Sequence, residues 1–234
     1  MATKTILITG ADGGLGTSVT KSLLEAGYIL TAATRDDAAS KRLEDAFPDA
    51  IGKTLFPVKA NLSVDEEVAS LVSQTTGLCA LVHLAGGYTA GNLVSDYSAA
   101  DFDFLMQLNA KPTFLLLKYT MPLLKQSGNA SIITIGAKPA LHPVAANSVY
   151  TASKSAVIAL TLSAAEEGRQ AGVRANCIVP AALQTPGNLS WASNEVFQTF
   201  TPLQDVADTI VYLVSDAAKG ITGTIIPMYN KISS

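Results

Sequence analysis

The chain has 234 residues, of which 48% are hydrophobic and only 15% charged, enough for one α/β domain with a large core or two small domains at most. A net charge of −3 with no basic run or stripe excludes nucleic acid as the main partner, and two histidines without ligand-spaced cysteines exclude a metal site. The longest apolar runs, such as 78–85, are too short to cross a bilayer, and no long apolar stretch precedes the first glycine, so neither membrane span nor signal peptide is expected.

Taken in chain order, strands are expected near 3–9, 28–34, 54–59, 78–84, 130–136, 173–179 and 222–228. Helical patterns fall near 15–26, 64–75, 99–126, 149–171 and 203–216, and Gly27, Gly128 and Gly172 sit where three of them should stop. This alternation predicts a parallel sheet covered by helices on both faces. The runs 78–84 and 131–135 are apolar on both faces, as doubly covered strands should be. No repeat, low-complexity tract or long linker interrupts the pattern. Cys79 and Cys177 lie in apolar strand-like runs, which suits a reducing compartment, by default the cytoplasm.

The first strand runs into Thr9-Gly10-Ala11-Asp12-Gly13-Gly14-Leu15-Gly16, after which a helical pattern begins. Glycines at 10, 14 and 16 allow a tight turn, backbone approach to a pyrophosphate and close packing of helix on strand. The N–H groups of the next helix turn then face the phosphates, where the helix dipole favours negative charge. A dinucleotide site is expected, and with it a single doubly wound Rossmann domain over residues 1–234, a seven-stranded and mostly parallel sheet. Specificity for the adenosine ribose should lie at the tip of the second strand. There Thr34 stands where an Asp would accept from a 2′-hydroxyl, and Arg35 follows with a guanidinium suited to a 2′-phosphate. Asp36, Asp37 and Asp12 oppose extra phosphate charge. NADP(H) is favoured over NAD(H).

Tyr150 and Lys154 are spaced i, i+4, so on a helix the phenol and ammonium share one face. A nearby ammonium favours phenolate and should lower the Tyr pKa toward a range useful for proton transfer. The spacing alone decides nothing; its place after the fifth strand, near the edge where ligands bind, gives it weight.

With these motifs in place, the chain resembles the short-chain dehydrogenase/reductase family along its whole length. Asn61-Leu62 resembles the pair that lies against the adenine, although Asn replaces the usual Asp. Asn109 is similar to the family Asn that bends a helix and holds a water near the Lys. Asn176, Pro180, Leu183 and Thr185 resemble the segment bracketing the nicotinamide, and Thr222-Gly223 the entry to the last strand. The resemblance implies that Tyr150 donates or accepts the proton, that Lys154 binds the nicotinamide ribose and lowers the Tyr pKa, and that Asn109 completes the relay. Gly10, Asp12, Gly13, Gly14, Leu15, Gly16, Thr34, Arg35, Asn61, Leu62, Ala85, Gly86 and Gly87 would line the cofactor with Tyr150 and Lys154.

Three departures stand out. The usual Asn-Asn-Ala-Gly reads His83-Leu84-Ala85-Gly86, so its polar pair is lost; the usual Pro-Gly reads Pro180-Ala181; and Ala137 occupies the position of the family Ser, whose hydroxyl commonly meets a substrate carbonyl. One subgroup, the dihydropteridine reductases, lacks that Ser while keeping Tyr and Lys. The segments 136–141, 85–92 and 201–203 resemble theirs, and the stretch between Thr185 and Thr201 is short, leaving little lid. The resemblance implies a quinonoid dihydropterin or similar flat conjugated imine as small-molecule substrate, which needs an acid and a stacking surface more than a Ser. Around it, His142 could replace the missing donor, and Tyr88 and Trp191 could stack on a flat ring, or each could be ordinary surface or packing. Ser148 and Ser153 flank Tyr150, where capping or solvent exposure explains them. A carbonyl reductase or alcohol dehydrogenase is the alternative, and a catalytically weak NADP-sensing or scaffold protein a further one. Family members pair long helices into homodimers or homotetramers, and the stretches 99–126 and 149–171 carry Phe102, Leu105, Leu108, Val157, Leu160 and Leu162, which could do the same or serve the core.

Overall fold

The computed structural model describes residues 4–233. Within them seven strands form one parallel sheet in the order β3-β2-β1-β4-β5-β6-β7: β1 Thr5–Thr9, β2 Ile29–Thr34, β3 Leu55–Lys59, β4 Leu78–His83, β5 Ala130–Ile135, β6 Val173–Pro180 and β7 Thr224–Met228. Strand order reverses between β1 and β4, which opens a crevice at their carboxyl ends. Each expected strand is present; the expected start of the first at residue 3 lies outside the described residues.

Helices α1 Gly14–Glu25, α2 Asp37–Ala46, α3 Asp65–Ser73, α4 Ala99–Leu105, α5 Lys111–Ser127 and α6 Ser148–Gly168 follow in turn, then α7 Pro186–Leu189, α8 Asn194–Phe197 and α9 Leu203–Val214. The period-2 alternation of β1 divides the core. Ile6 and Ile8 join Val19, Leu23, Leu43 and Ile210 on the α1/α2/α9 face, whereas Leu7 joins Leu71, Leu116 and Ala164 on the α3/α5/α6 face. Burying these side chains supplies the main driving force for the sheet, at about 1.5–3 kcal/mol for each large one.

Two helical expectations need correction. The stretch 37–46 forms a helix that hydrophobic periodicity does not reveal, because only Ala39 and Leu43 of its ten residues are buried. Its signal is a cap: the Asp36 carboxylate accepts from the Ala39 N–H at 2.8 Å. The helix expected over 99–126 is divided by a π-helical segment, Met106–Ala110, that carries Asn109. Such insertions turn a side chain out of the regular α register. Of the six apolar residues considered for subunit contacts, Leu105 and Val157 are buried in this chain's own core. Phe102 is exposed, as are Phe104 and Phe114 nearby. No helix among the described residues is long and apolar enough to cross a membrane.

Candidate active site

The glycine-rich loop has the geometry that its sequence implies. Gly10 sits at φ +68°, and a Cβ there would come within 2.8 Å of the Ala85 nitrogen; at Gly16 it would collide with the Gly10 carbonyl. Helix α1 then starts at Gly14 with no side-chain cap and no acidic residue in its first turn, leaving its first N–H groups for an anion. A cavity of about 410 Å³ opens beside it, walled by Gly10, Asp12 and Gly13 below and by Ala33, Arg35, Asn61, Leu62, Ala85 and Gly86 along the strand ends. Thr185 caps α7 and packs against Gly14, where a Cβ would lie 3.2 Å from the Thr185 side chain, so the segment after β6 closes on the loop. Pro180 ends β6, and Leu183 bridges to Thr201 as the chain leaves it. Leu15 turns away, packing in the core on the α1/α2/α9 face. This shape, with an uncapped helix start over a cradle that a Cβ would fill, fits a dinucleotide.

Two of the expected cofactor-segment residues serve other ends. Strand alternation puts Ala33 and Arg35 on the cavity face and turns Thr34 inward, where it is buried and its hydroxyl meets Ser40 Oγ at 2.8 Å. Asn176 is also buried; its amide donates to the Ile221 carbonyl and its oxygen accepts from the Thr224 N–H, tying β6 to the entry of β7.

Tyr150, Lys154 and Asn109 converge. Asn109, carried on the π segment, accepts from the Gly87 N–H at 2.9 Å and donates to the Gly87 carbonyl and to Ser153 Oγ, each at 3.1 Å. Ser153 in turn donates to the Tyr150 carbonyl, so a residue expected at a cap or in solvent is a buried strut between α6 and the loop after β4. Lys154 Nζ donates to the Ile135 carbonyl at 3.0 Å. A Cβ at Gly86 would meet Asn109 Oδ1 at 2.7 Å and Lys154 Nζ at 3.1 Å, so only glycine lets the loop pass between them.

Burial lowers the Lys154 pKa to about 8. The expected lowering at Tyr150 is not found: burial first, then the neighbouring Tyr88, pushes its phenol up to about 12. The physical reason is that Lys154 is turned to a backbone carbonyl and the phenol is enclosed by apolar neighbours. Tyr150 is therefore held in its protonated form, the form of an acid.

One position of the lost polar pair keeps a hydrogen-bonding side chain. His83 is buried at the end of β4, with Nδ1 2.7 Å from Thr9 Oγ1 and Nε2 3.1 Å from Thr113 Oγ1. Thr9 Oγ1 accepts from the Ala85 N–H, and the Thr113 hydroxyl donates to the Asn109 carbonyl. With those protons assigned, the Thr9 hydroxyl donates to Nδ1 and Nε2–H donates to Thr113. The result is one directional chain from the cofactor loop to the backbone of Asn109. Burial keeps His83 neutral, with its pKa lowered to about 3.

Ala137 packs with Leu105, Val149 and Tyr150. Tyr88 sets its ring edge-on to Tyr150, centroids 4.7 Å apart, with 65% of the residue exposed. The other two candidates stand elsewhere: His142 faces Tyr229 from an exposed loop, and Trp191 packs on Phe200 and bonds Asn188. Sequence reasoning missed Ser153, the His83 chain and Arg42, a further residue of the cavity wall.

The family model described as short chain dehydrogenase matches residues 4–196. This chain belongs to the short-chain dehydrogenase family. Similar relatives include the 2,5-dichloro-2,5-cyclohexadiene-1,4-diol dehydrogenase LinX of Sphingobium indicum, 30% identical over 97% of this chain and 95% of the relative. The 3-oxoacyl-[acyl-carrier-protein] reductase FabG of Staphylococcus aureus is 32% identical over 96% of both chains. Among solved structures, ElxO with NADP bound aligns at TM-score 0.90, 22% identical over 98% of each chain. The 3-ketoacyl-(acyl-carrier-protein) reductase of Brucella melitensis, complexed with NADH, aligns at 0.89, 23% identical over 99% of this chain and 98% of that one. As a short-chain dehydrogenase the chain is an oxidoreductase whose Tyr-Lys pair lies on α6 beside the crevice where the strand order reverses. Of the departures seen in the sequence, His83 ends β4 at that crevice and Ala137 packs against Tyr150.

Proposed function

We propose that the chain is a nicotinamide-dependent reductase of flat, conjugated imines of the quinonoid dihydropterin type. The observation that carries this reading is the packing around Tyr150. Ala137 offers it a methyl group and no second hydroxyl, while the exposed Tyr88 stands edge-on to its ring. A ketone oxygen needs preorganised donors as charge develops on it. A conjugated ring imine needs one acid and an aromatic surface, the roles this reading gives to Tyr150 and Tyr88.

A bound nicotinamide supplies the hydride. The chain's own residues supply the rest: Tyr150 delivers its phenolic proton to a ring nitrogen, and Lys154, held on the Ile135 carbonyl, would stabilise the phenolate left behind on turning from that carbonyl toward it. Lys154 and Gly86 would meet the nicotinamide ribose, and Asn109 supports this role by bonding Gly87 and Ser153, the neighbours of both in sequence. Exposed Phe104 and Phe114 near the α5–α6 face support pairing of two or four copies of the chain, and the free thiols Cys79 and Cys177 support a cytoplasmic setting.

A second reading, a carbonyl reductase, is favoured by the relatives that are named for a diol and a 3-oxoacyl substrate. Substitution of Tyr88 separates the two. On the first reading, Tyr88→Ala weakens KM for a dihydropterin about tenfold or more, within the range known for base–aromatic stacking, and Tyr88→Phe restores it. Equal kinetics in parent and Tyr88→Ala would remove the stacking surface from the account.

A further inference from the structure

The ribose end of the cavity holds a second guanidinium. Arg42 stands on α2 and reaches across the groove to the glycine-rich loop, with Nη2 2.6 Å and Nε 3.2 Å from Asp12 Oδ2. Both residues wall the same cavity as Arg35. Asp12 is largely covered, its side chain 19% accessible, whereas the Arg35 side chain is 83% accessible and rests on Asp36 at 3.1 Å.

The position of Asp12 raises an electrostatic problem that Arg42 answers. A bare carboxylate at the adenosine ribose accepts a hydrogen bond from a 2′-hydroxyl and repels a 2′-phosphate. Here each of the three aspartates around the pocket has a cation against it: Asp12 has Arg42, Asp36 has Arg35, and Asp37 has Lys59 at 3.0 Å. Only the first of these pairs joins the glycine-rich loop to α2 across the cavity. A guanidinium has five N–H donors in a rigid fork. Pairing through Nε and one hydrogen of Nη2 leaves Nη1 and the second Nη2 hydrogen to meet an anion.

We propose that Arg42 is a specificity-determining residue: by pairing with Asp12 it turns the ribose pocket from a carboxylate wall into a guanidinium wall and directs it to the 2′-phosphorylated dinucleotide. This rests on the reading of the groove as a nicotinamide dinucleotide site. Arg35, on a free strand tip, adds a second, looser contact.

The test is calorimetric titration of the full chain with adenosine 2′,5′-bisphosphate and with 5′-AMP, which differ only in the 2′-phosphate and require no turnover. The parent should bind the 2′,5′-bisphosphate at least tenfold more tightly than 5′-AMP. Arg42→Ala should lower that ratio tenfold or more while leaving 5′-AMP binding nearly intact. The double variant Asp12→Asn/Arg42→Ala should recover a large part of the ratio, since the exposed carboxylate is gone. Asp12→Asn alone should raise the ratio severalfold, and it carries the test if Arg42→Ala does not fold. A ratio within twofold of the parent in Arg42→Ala, or unchanged in Asp12→Asn, would overturn the inference and leave the groove assignment standing. A parent that binds neither nucleotide would overturn the groove assignment and the inference with it.

Discussion

Replacing Lys154 by Met should make the cofactor-free protein more stable while removing its activity. Lys154 is buried, and its only described hydrogen bond runs to the Ile135 carbonyl. Its pKa falls from 10.5 to about 8 because burial disfavours the charged form. At 1.4 kcal/mol per unit, keeping the ammonium there costs about 3 kcal/mol at pH 7. Met fills similar space without charge but leaves the Ile135 carbonyl unpaired, which returns about 1 kcal/mol. The net gain is about 2 kcal/mol, which for a chain of this size shifts the melting temperature up by about 4–8 °C.

The pH dependence follows from linkage. The folded pKa lies below the unfolded one, so between about 8 and 10.5 the unfolded chain binds more protons and the parent gains stability as pH rises. The advantage of Lys154→Met is therefore full below pH 8 and gone above about 10.5. Differential scanning calorimetry of both proteins, stripped of nucleotide, at pH 7 and pH 10 measures it. A melting temperature equal to or below the parent's at pH 7 would refute the claim that the ammonium is held at a cost for its chemistry.

Two further outcomes follow from the same geometry. His83→Asn should cut the chain from Thr9 to Thr113 and lower kcat more than KM by displacing Asn109. It should also flatten the loss of stability that the parent shows as pH falls from 6.5 toward about 3, where only the unfolded His takes up a proton; urea unfolding at pH 7, 5 and 4 reads this. Ala137→Ser places a hydroxyl beside Tyr150 and should leave pterin turnover within a few-fold of the parent. A gain of about a hundredfold on ketones, the scale of one restored oxyanion donor, would instead mark a carbonyl reductase that had lost its donor.

The fold was legible because seven apolar runs alternate with helical ones, and because the Gly10–Gly16 spacing admits few backbone geometries. The site was legible to the extent that it follows local spacing: Tyr150 and Lys154 share a helix face, and Gly86 must be small. What escaped depends on partners distant in sequence. Arg42 lies 30 residues from Asp12, and Thr9 lies 74 residues from His83, so neither contact leaves a local pattern. Helix α2 escaped because it lies on the sheet with only two buried side chains, too few for a periodic signal. Thr34 escaped because its place at the strand tip does not show the alternation that turns it inward. The raised pKa of Tyr150 escaped because spacing shows the neighbouring charge and not the depth of burial.

The role of Tyr150 as acid for a flat conjugated imine is tested by an initial-rate comparison. Oxidation of NADPH and NADH is followed with chemically generated quinonoid dihydropterin and with a panel of aldehydes and ketones, non-enzymatic reduction subtracted, in the parent and in Tyr150→Phe. Pterin-dependent turnover should be fast and fall at least a hundredfold in Tyr150→Phe, with little turnover of the carbonyls. Carbonyl turnover alone, or pterin turnover that survives loss of the phenol, would contradict it.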